Sequence, residues 1–242
     1  MHEHPAGYTR AFRFVEIGSI TTFAALLSWL AARLAPHALA APVRLGLALA
    51  SAYVAADFVS GFVHWMGDTW GSRQMPVLGP ALIRPFREHH EDPKAMTRHD
   101  WVETNGANCM IALPGAVAAL LIPLDDGPWQ AHRHFGAMFF GALIVWVMAT
   151  NQIHKWAHTD VPPGLVRLLQ RWRVILNPAH HALHHGAPYD RHYCITTGWL
   201  NAPLGALRFF RVLEWVVTAT TGLRPRAEEE VAIPAASPGA RV

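Results

Sequence analysis

Several of the 16 histidines in this 242-residue chain fall in pairs whose spacing suits metal binding. His64 and Asp68 lie four residues apart in DFVSGFVHWMGDTWG, and His154 and His158 do the same in NQIHKWAHTD. Side chains at positions i and i+4 project from the same face of a helix. Each pair is therefore predicted to supply ligands to one metal, and Asp68 either binds the metal directly or orients a histidine that does.

Two further segments, FREHHEDP and NPAHHALHHG, add more imidazoles. These are His89, His90, His180, His181, His184 and His185. About eight histidines exceed the three protein ligands of a usual catalytic zinc, so their number favours a pair of metals. Imidazole binds iron, zinc, copper and nickel, so the residue types alone leave the metal open. His99 and His192 are as consistent with ordinary surface or core positions as with a site.

The elements that position these residues are predicted to be membrane helices. The chain is 52% hydrophobic and only 15% charged, against about 25% charged residues in soluble domains. Four apolar stretches approach the ~20 residues that cross a bilayer, at about 15–34, 43–65, 107–124 and 135–153. The third contains Pro114 and Gly115 and could cross or re-enter. The expected fold is all-α, with about four transmembrane helices and a histidine-rich cap that holds the metals.

Basic residues predict the orientation. They cluster in the loop 66–104 and after residue 155, whereas the connections 35–42 and 125–134 contain few. The positive-inside rule then places both termini and the clustered histidines in the cytoplasm, with the metal-binding cap. His37, His132 and His134 fall on the opposite side, and His2 and His4 lie in the N-terminal segment, so all five are expected to be ordinary surface residues.

The rest of the chain adds boundaries and exclusions. Segments 165–176 and 203–217 pair apolar residues with arginine at helical spacing and are predicted to lie in the membrane interface. One membrane domain is expected over 1–223, followed by a disordered tail at 224–242. The N-terminal segment lacks the layout of a cleaved signal peptide. Two cysteines exclude a disulfide framework, and dispersed arginines argue against nucleic acid.

The segments GFVHWMGDTWG, LIRPFREHHEDPKAMTRHDWVETNG, NQIHKWAHT and HHALHHG followed by YCITTGWLN cover about residues 55–205. In this order they resemble the plasmanylethanolamine desaturases, the lipid desaturase domain of the Kua and CarF type. The resemblance implies that the chain introduces the vinyl-ether double bond into the alkyl chain of an ether phospholipid, as in plasmalogen synthesis. It also implies a metal-binding set made of His64, Asp68, His89, His90, His154, His158, His180, His181, His184 and His185.

This chemistry calls for two iron ions and O2. No flavin or nicotinamide motif is present, so the expected electron donor is a separate protein of the b-type cytochrome or ferredoxin class. The membrane phospholipid is the substrate, and Arg84, Arg87 and Lys155 are candidates for contacting its phosphate.

Three alternatives remain open. A plant plastid branch of the same broad domain desaturates an acyl chain of phosphatidylglycerol. A lipid hydroxylase would use a similar metal site. A metal transporter or sensor would also be rich in histidine, but its ligands should lie near the membrane midplane along a path, whereas these gather at one end of the helices.

Overall fold

Every regular element in the part of the chain that the structure describes is a helix. The structure is a computed structural model and describes residues 9–76, 79 and 83–226. The helices are α1 (Arg10–Ala40), α2 (Pro42–Thr69), α3 (Arg84–Glu91), α4 (Trp101–Leu121), α5 (Gln130–His158), α6 (Gly164–Arg171), α7 (Pro178–His181), α8 (Asn201–Ala206) and α9 (Phe209–Thr221), with a 3-10 turn at Ala95–Arg98. The prediction of an all-helical fold is confirmed for these residues.

Four helices, α1, α2, α4 and α5, are long and apolar enough to cross a membrane. They coincide with the four predicted apolar stretches and extend beyond most of their ends. The cause is visible at α4, which begins at Trp101 because the Asp100 carboxylate accepts the N–H groups of Val102 and Glu103. Such a cap starts a helix in polar sequence, ahead of the apolar run.

The long helices pack α1 on α4, α4 on α5 and α2 on α5. At one end of the bundle Arg13 of α1 forms a bidentate ion pair with Asp100. At the other end Arg33 of α1 donates to the carbonyls of Leu120 and Ile122. Helix α4 therefore runs parallel to α1 along the bundle, without interruption at Pro114, which favours crossing over re-entry.

Small residues let the helices approach closely. Ala48, Ala52 and Ala56 of α2 are fully buried and lie four residues apart, on one helix face. Large apolar side chains point outward instead, among them Phe14 and Ile111. This inside-out distribution is the one expected of helices that pack through small residues and are surrounded by lipid.

The shorter elements gather where α2 and α5 end. Ile175, Leu176 and Ile195 are buried against Ile153 and Ala157 near the end of α5. Helices α6, α8 and α9 fall within or beside the segments predicted to be interfacial.

The predicted disordered tail begins too early at residue 224. The Arg226 backbone N–H donates to Thr69 O at 2.7 Å, and its guanidinium pairs with Glu214 at 2.8 Å. Residues 227–242 lie outside the described part of the chain.

Candidate metal centre

Nine of the predicted ligands form two compact groups of metal-binding atoms. The five-histidine group consists of His89, His154, His158, His181 and His185, and the His–Asp group consists of His64, Asp68, His90 and His184. Within each group the candidate ligand atoms all lie within 4.8 Å of one another. The groups adjoin, because the ring centroids of His90 and His185 are only 5.4 Å apart.

The local structure explains how the sequence divides between the groups. In α2 the pair His64 and Asp68 serves the His–Asp group, and in α5 the pair His154 and His158 serves the other. Each pair occupies one helix face because its members lie one turn apart. The neighbours on α3 point apart, so that His89 joins the five-histidine group and His90 the other.

The same division occurs at α7 and in the loop that follows it. His181 and His185, four residues apart, join the five-histidine group, and His184 joins the His–Asp group. Four separate parts of the chain thus supply ligands: α2, α3, α5 and the α7 segment. Each group takes ligands from three of them.

Distances in the five-histidine group fit a bound metal better than hydrogen bonding. The Nε2 atoms of His154, His158 and His181 form a triangle with sides of 2.8, 2.9 and 3.3 Å. A neutral ring nitrogen has either one N–H or one lone pair, so three such atoms cannot satisfy one another. Nitrogens bound at right angles about 2.1 Å from one first-row metal are about 3.0 Å apart.

The His–Asp group has the composition of a second metal site. The Nε2 atoms of His90 and His184 are 2.9 Å apart. The Asp68 Oδ2 atom lies 3.4 Å from the Nε2 atoms of both His64 and His184. All four side chains are nearly or fully buried, and a buried carboxylate surrounded by imidazoles suits a cation at its centre.

Backbone carbonyls orient two of these histidines. The Nδ1 atom of His64 lies 3.2 Å from the carbonyl of Tyr193, and the Nδ1 atom of His184 lies 2.8 Å from that of Arg191. A carbonyl can only accept, so Nδ1 carries the proton and Nε2 presents its lone pair to the site. The segment 191–193 therefore orients two histidines of the His–Asp group.

Burial favours the neutral form of three imidazoles of the cap. Loss of solvation lowers the pKa of His89 to about 2 and those of His90 and His185 to about 3, with neighbouring histidines adding to the effect. A neutral imidazole is the form that binds metal. Moreover, His89 Nε2 is buried without a hydrogen-bond partner among the described residues, so the donor set fits a pair of metals.

His180 is the one predicted ligand that the structure does not bring to either group. Its Nε2 lies 3.0 Å from Asn201 Nδ2, and its ring packs edge-on to that of His192. The adjacent His181 faces the site because successive residues of a helix point about 100° apart. His192 and His99 also lie outside both groups.

The three residues predicted to contact the lipid phosphate differ in exposure and in their hydrogen bonds. Arg87 is 3% exposed and donates to the carbonyls of Trp70 and Gly71. Lys155 donates to the carbonyl of His99. Both cations are therefore engaged in holding the cap, and Arg84 is the exposed member of the three.

The described histidines that were expected to lie away from the site do so. His134, however, is not the surface residue that was expected, because it is 3% exposed and its Nε2 lies 3.0 Å from the carbonyl oxygen of Leu124. The ring centroids of His37 and His134 lie 4.0 Å apart, with the rings tilted by 50°. His134 and His154 are separated by most of α5, about 30 Å along a helix. His132 contacts Trp129 at the same distant end. His2 and His4 lie outside the described residues.

Sequence reasoning missed two residues that support the site. Asp57 is 1% exposed, and its carboxylate accepts the backbone N–H groups of Thr197, Gly198 and Leu200 at 2.7–3.0 Å. Tyr189 stacks on His90 with ring centroids 4.3 Å apart. An acidic residue in the middle of an apolar run was the available signal for Asp57. The stacking of Tyr189 had none.

Comparison with known proteins identifies the family of this chain. The model of the lipid desaturase domain family matches residues 53–228. The chain is 55% identical over 223 residues to the plasmanylethanolamine desaturase of Myxococcus xanthus, which covers 92% of this chain and 78% of that protein. It is 46% identical over 185 residues to plasmanylethanolamine desaturase 1 of Mus musculus, covering 76% and 68%.

A third relative is fatty acid desaturase 4, chloroplastic, of Arabidopsis thaliana, which is 32% identical over 220 residues, covering 90% of this chain and 64% of that protein. Among solved structures, none matches this chain. The family match and the relatives confirm the resemblance seen in the signature segments, and the chain belongs to the lipid desaturase domain family.

Proposed function

We propose that this protein is a membrane-bound plasmanylethanolamine desaturase that introduces the vinyl-ether double bond into an ether phospholipid. The observation that carries the proposal is the pair of adjoining donor groups at one end of four apolar helices. Similarity to the two relatives named for this activity gives the substrate.

The five-histidine group and the His–Asp group would each hold one iron ion. When bound, the two irons supply with O2 the oxidising power to remove hydrogen from unactivated carbons. Removal of two hydrogen atoms from adjacent carbons, with two electrons and two protons from a donor, converts one O2 to two water molecules. The electrons come from a separate redox protein of the b-type cytochrome or ferredoxin class.

The chain's own share of the reaction is to position and to shield. Hydrogen bonds to the carbonyls of Tyr193 and Arg191 hold the His64 and His184 rings. Burial of His64, His154 and His184 keeps bulk water from the site. An alkyl chain carries no polar group of its own, so the reacting carbons must be selected by where the rest of the lipid is held.

The site is proposed to lie at the cytoplasmic face. Helices α2 and α5 both end at the histidines, and the loop after α2 and the segment after α5 contain most of the basic residues of the middle of the chain. With four crossings both termini lie on that same side. In a bacterium this membrane would be the inner membrane.

Desaturation of an acyl chain is the second candidate, because one relative is named a chloroplastic fatty acid desaturase. That relative is 32% identical to this chain, against 55% and 46% for the two plasmanylethanolamine desaturases. The ether lipid is therefore the preferred substrate.

The test is lipid analysis by mass spectrometry of cells that lack vinyl ethers, express this chain and receive an alkyl-ether precursor. We expect an acid-labile product two mass units lighter than the saturated ether lipid. A hydroxylated product would instead make the chain a hydroxylase, and an unsaturated acyl phosphatidylglycerol without vinyl ether would assign the acyl substrate.

A further inference from the structure

A cleft of about 820 Å³ opens beside the five-histidine group. Its wall includes His158, His181 and His185, three members of that group. A volume of this size is within the range of pockets that hold small organic ligands. A molecule in the cleft would therefore lie directly against the candidate metal site.

The lining of the cleft is also strongly basic. Arg167, Arg171 and Arg173 line it, and none of the three pairs with an acidic side chain in the described part of the chain. The acidic residue of the lining, Asp160, is neutralised by Lys94 at 2.6 Å. The cleft thus carries net positive charge and attracts an anion.

One buried side chain in the cleft lacks a partner. Gln170 lines the cleft and is 4% exposed, yet its Nε2 has no hydrogen bond among the residues described. A buried N–H group left unsatisfied costs about 1–3 kcal/mol. An acceptor oxygen bound in the cleft would remove that cost.

Helix α6 also relates the cleft to the membrane. Its residues Leu165 and Leu168, together with Trp172 just after it, are 68%, 39% and 66% exposed. Their spacing of three and four residues puts them on one side of the helix, whereas Arg167 and Arg171 lie on another. A helix with an exposed apolar face and a basic face suits the membrane interface, where phospholipid phosphates lie.

We propose that this cleft binds the phosphate of the ether phospholipid, with Arg167 and Arg171 as the charged contacts and Gln170 as a hydrogen-bond donor. The inference rests on the proposed function. In an ether phospholipid the reacting carbon next to the ether oxygen is six covalent bonds from phosphorus, at most about 8 Å. The phosphate site must therefore adjoin the metal site, as this cleft does.

The same reasoning accounts for selection of the reacting carbons. A phosphate held by Arg167 and Arg171 fixes how far the alkyl chain reaches past His158 and His185. Arg87 and Lys155 are held by carbonyls elsewhere in the cap, so the arginines of α6 take over the role first expected of them. Bidentate contact between guanidinium and phosphate makes arginine well suited to it.

The test compares an ether phospholipid with the corresponding phosphate-free alkylacylglycerol. Binding of each lipid to the iron-loaded protein in detergent is measured by native mass spectrometry, and turnover of the phospholipid is measured with a redox donor. The variant is the double change Arg167→Gln and Arg171→Gln. The control is Arg44→Gln, in the first turn of α2 at the opposite end of the bundle.

We expect the double variant to bind the phospholipid about tenfold or more weakly, in line with loss of charged hydrogen bonds. Its KM for the phospholipid rises by a similar factor, while iron content and binding of the phosphate-free lipid stay at the wild-type level. The Arg44→Gln control matches wild type throughout.

Several results would overturn the proposal. These are an unchanged affinity for the phospholipid, an equal loss for both lipids, a loss of iron, or inorganic phosphate binding as tightly as the lipid. A raised KM for the redox protein with an unchanged KM for the lipid would make the cleft a protein-docking surface instead. One further outcome separates the two proposals. If the wild type forms no vinyl ether but binds the phospholipid, and the double variant loses that binding, then the proposed function fails and the phosphate site stands.

Discussion

At the scale of single residues, nine donor side chains divide between two groups that share no residue. Spacing alone paired His64 with Asp68 and His154 with His158, because helical periodicity is a local property. It could not separate His180 from His181, since that depends on the rotation of α7 about its axis. The carbonyl groups that bind the Nδ1 atoms of His64 and His184 belong to Tyr193 and Arg191. Every residue has a backbone carbonyl, so the sequence could not show which of them would make these contacts.

The structure predicts that the two metal positions can be emptied separately, because the donor groups share no residue. Asp68→Asn keeps the shape of the side chain but removes the charge in the His–Asp group. We expect iron to fall from about two to about one per chain, with loss of desaturation. Elemental analysis of purified protein checks this. Two irons retained in the variant would contradict direct binding by Asp68.

At the scale of elements, hydropathy located the long helices, whereas the cap depends on contacts distant in sequence. Gly61 of α2 shows this, because a Cβ there would collide with the backbone and sulfur of Cys194. Only glycine allows α2 to approach the 193–196 segment so closely. Nothing near Gly61 in the sequence points to Cys194, and so this packing could not be predicted.

Asp57 is expected to hold the same segment in place. Asp57→Ala would leave the buried N–H groups of Thr197, Gly198 and Leu200 without their acceptor. We expect the free energy of unfolding to fall by roughly 3 kcal/mol or more, measured by denaturant titration in detergent. Asp57→Asn retains one acceptor oxygen and should lose less. Equal stability of the alanine variant and wild type would refute this role.

At the scale of the whole molecule, composition predicted a membrane protein with four helices, and the structure has four helices that satisfy the requirements of length and hydropathy. The exact helix ends could not be predicted, because caps such as Asp100 lie in polar sequence. The packing of α1 on α4 and of α2 on α5 could not be predicted from the hydropathy pattern either, because an apolar helix face does not specify which helix it packs against.

The arrangement predicts how the chain crosses the membrane. Reporter fusions near Met75 and at residue 242 should both report the cytoplasm, whereas one near Asp126 should report the opposite side. The reason is that α4 runs along α1 from end to end. A cytoplasmic signal from Asp126 would mean that α4 does not cross.

The measurement that tests the central claim most directly combines iron content with vinyl-ether formation in two matched histidine variants. His154→Ala removes a ligand from the five-histidine group, whereas His132→Ala removes an imidazole from the opposite end of the same helix. We predict that His154→Ala accumulates in the membrane, loses iron and forms no vinyl-ether lipid, while His132→Ala keeps both near the wild-type level. Desaturation that survives in His154→Ala, or that is lost equally in His132→Ala, would contradict the account.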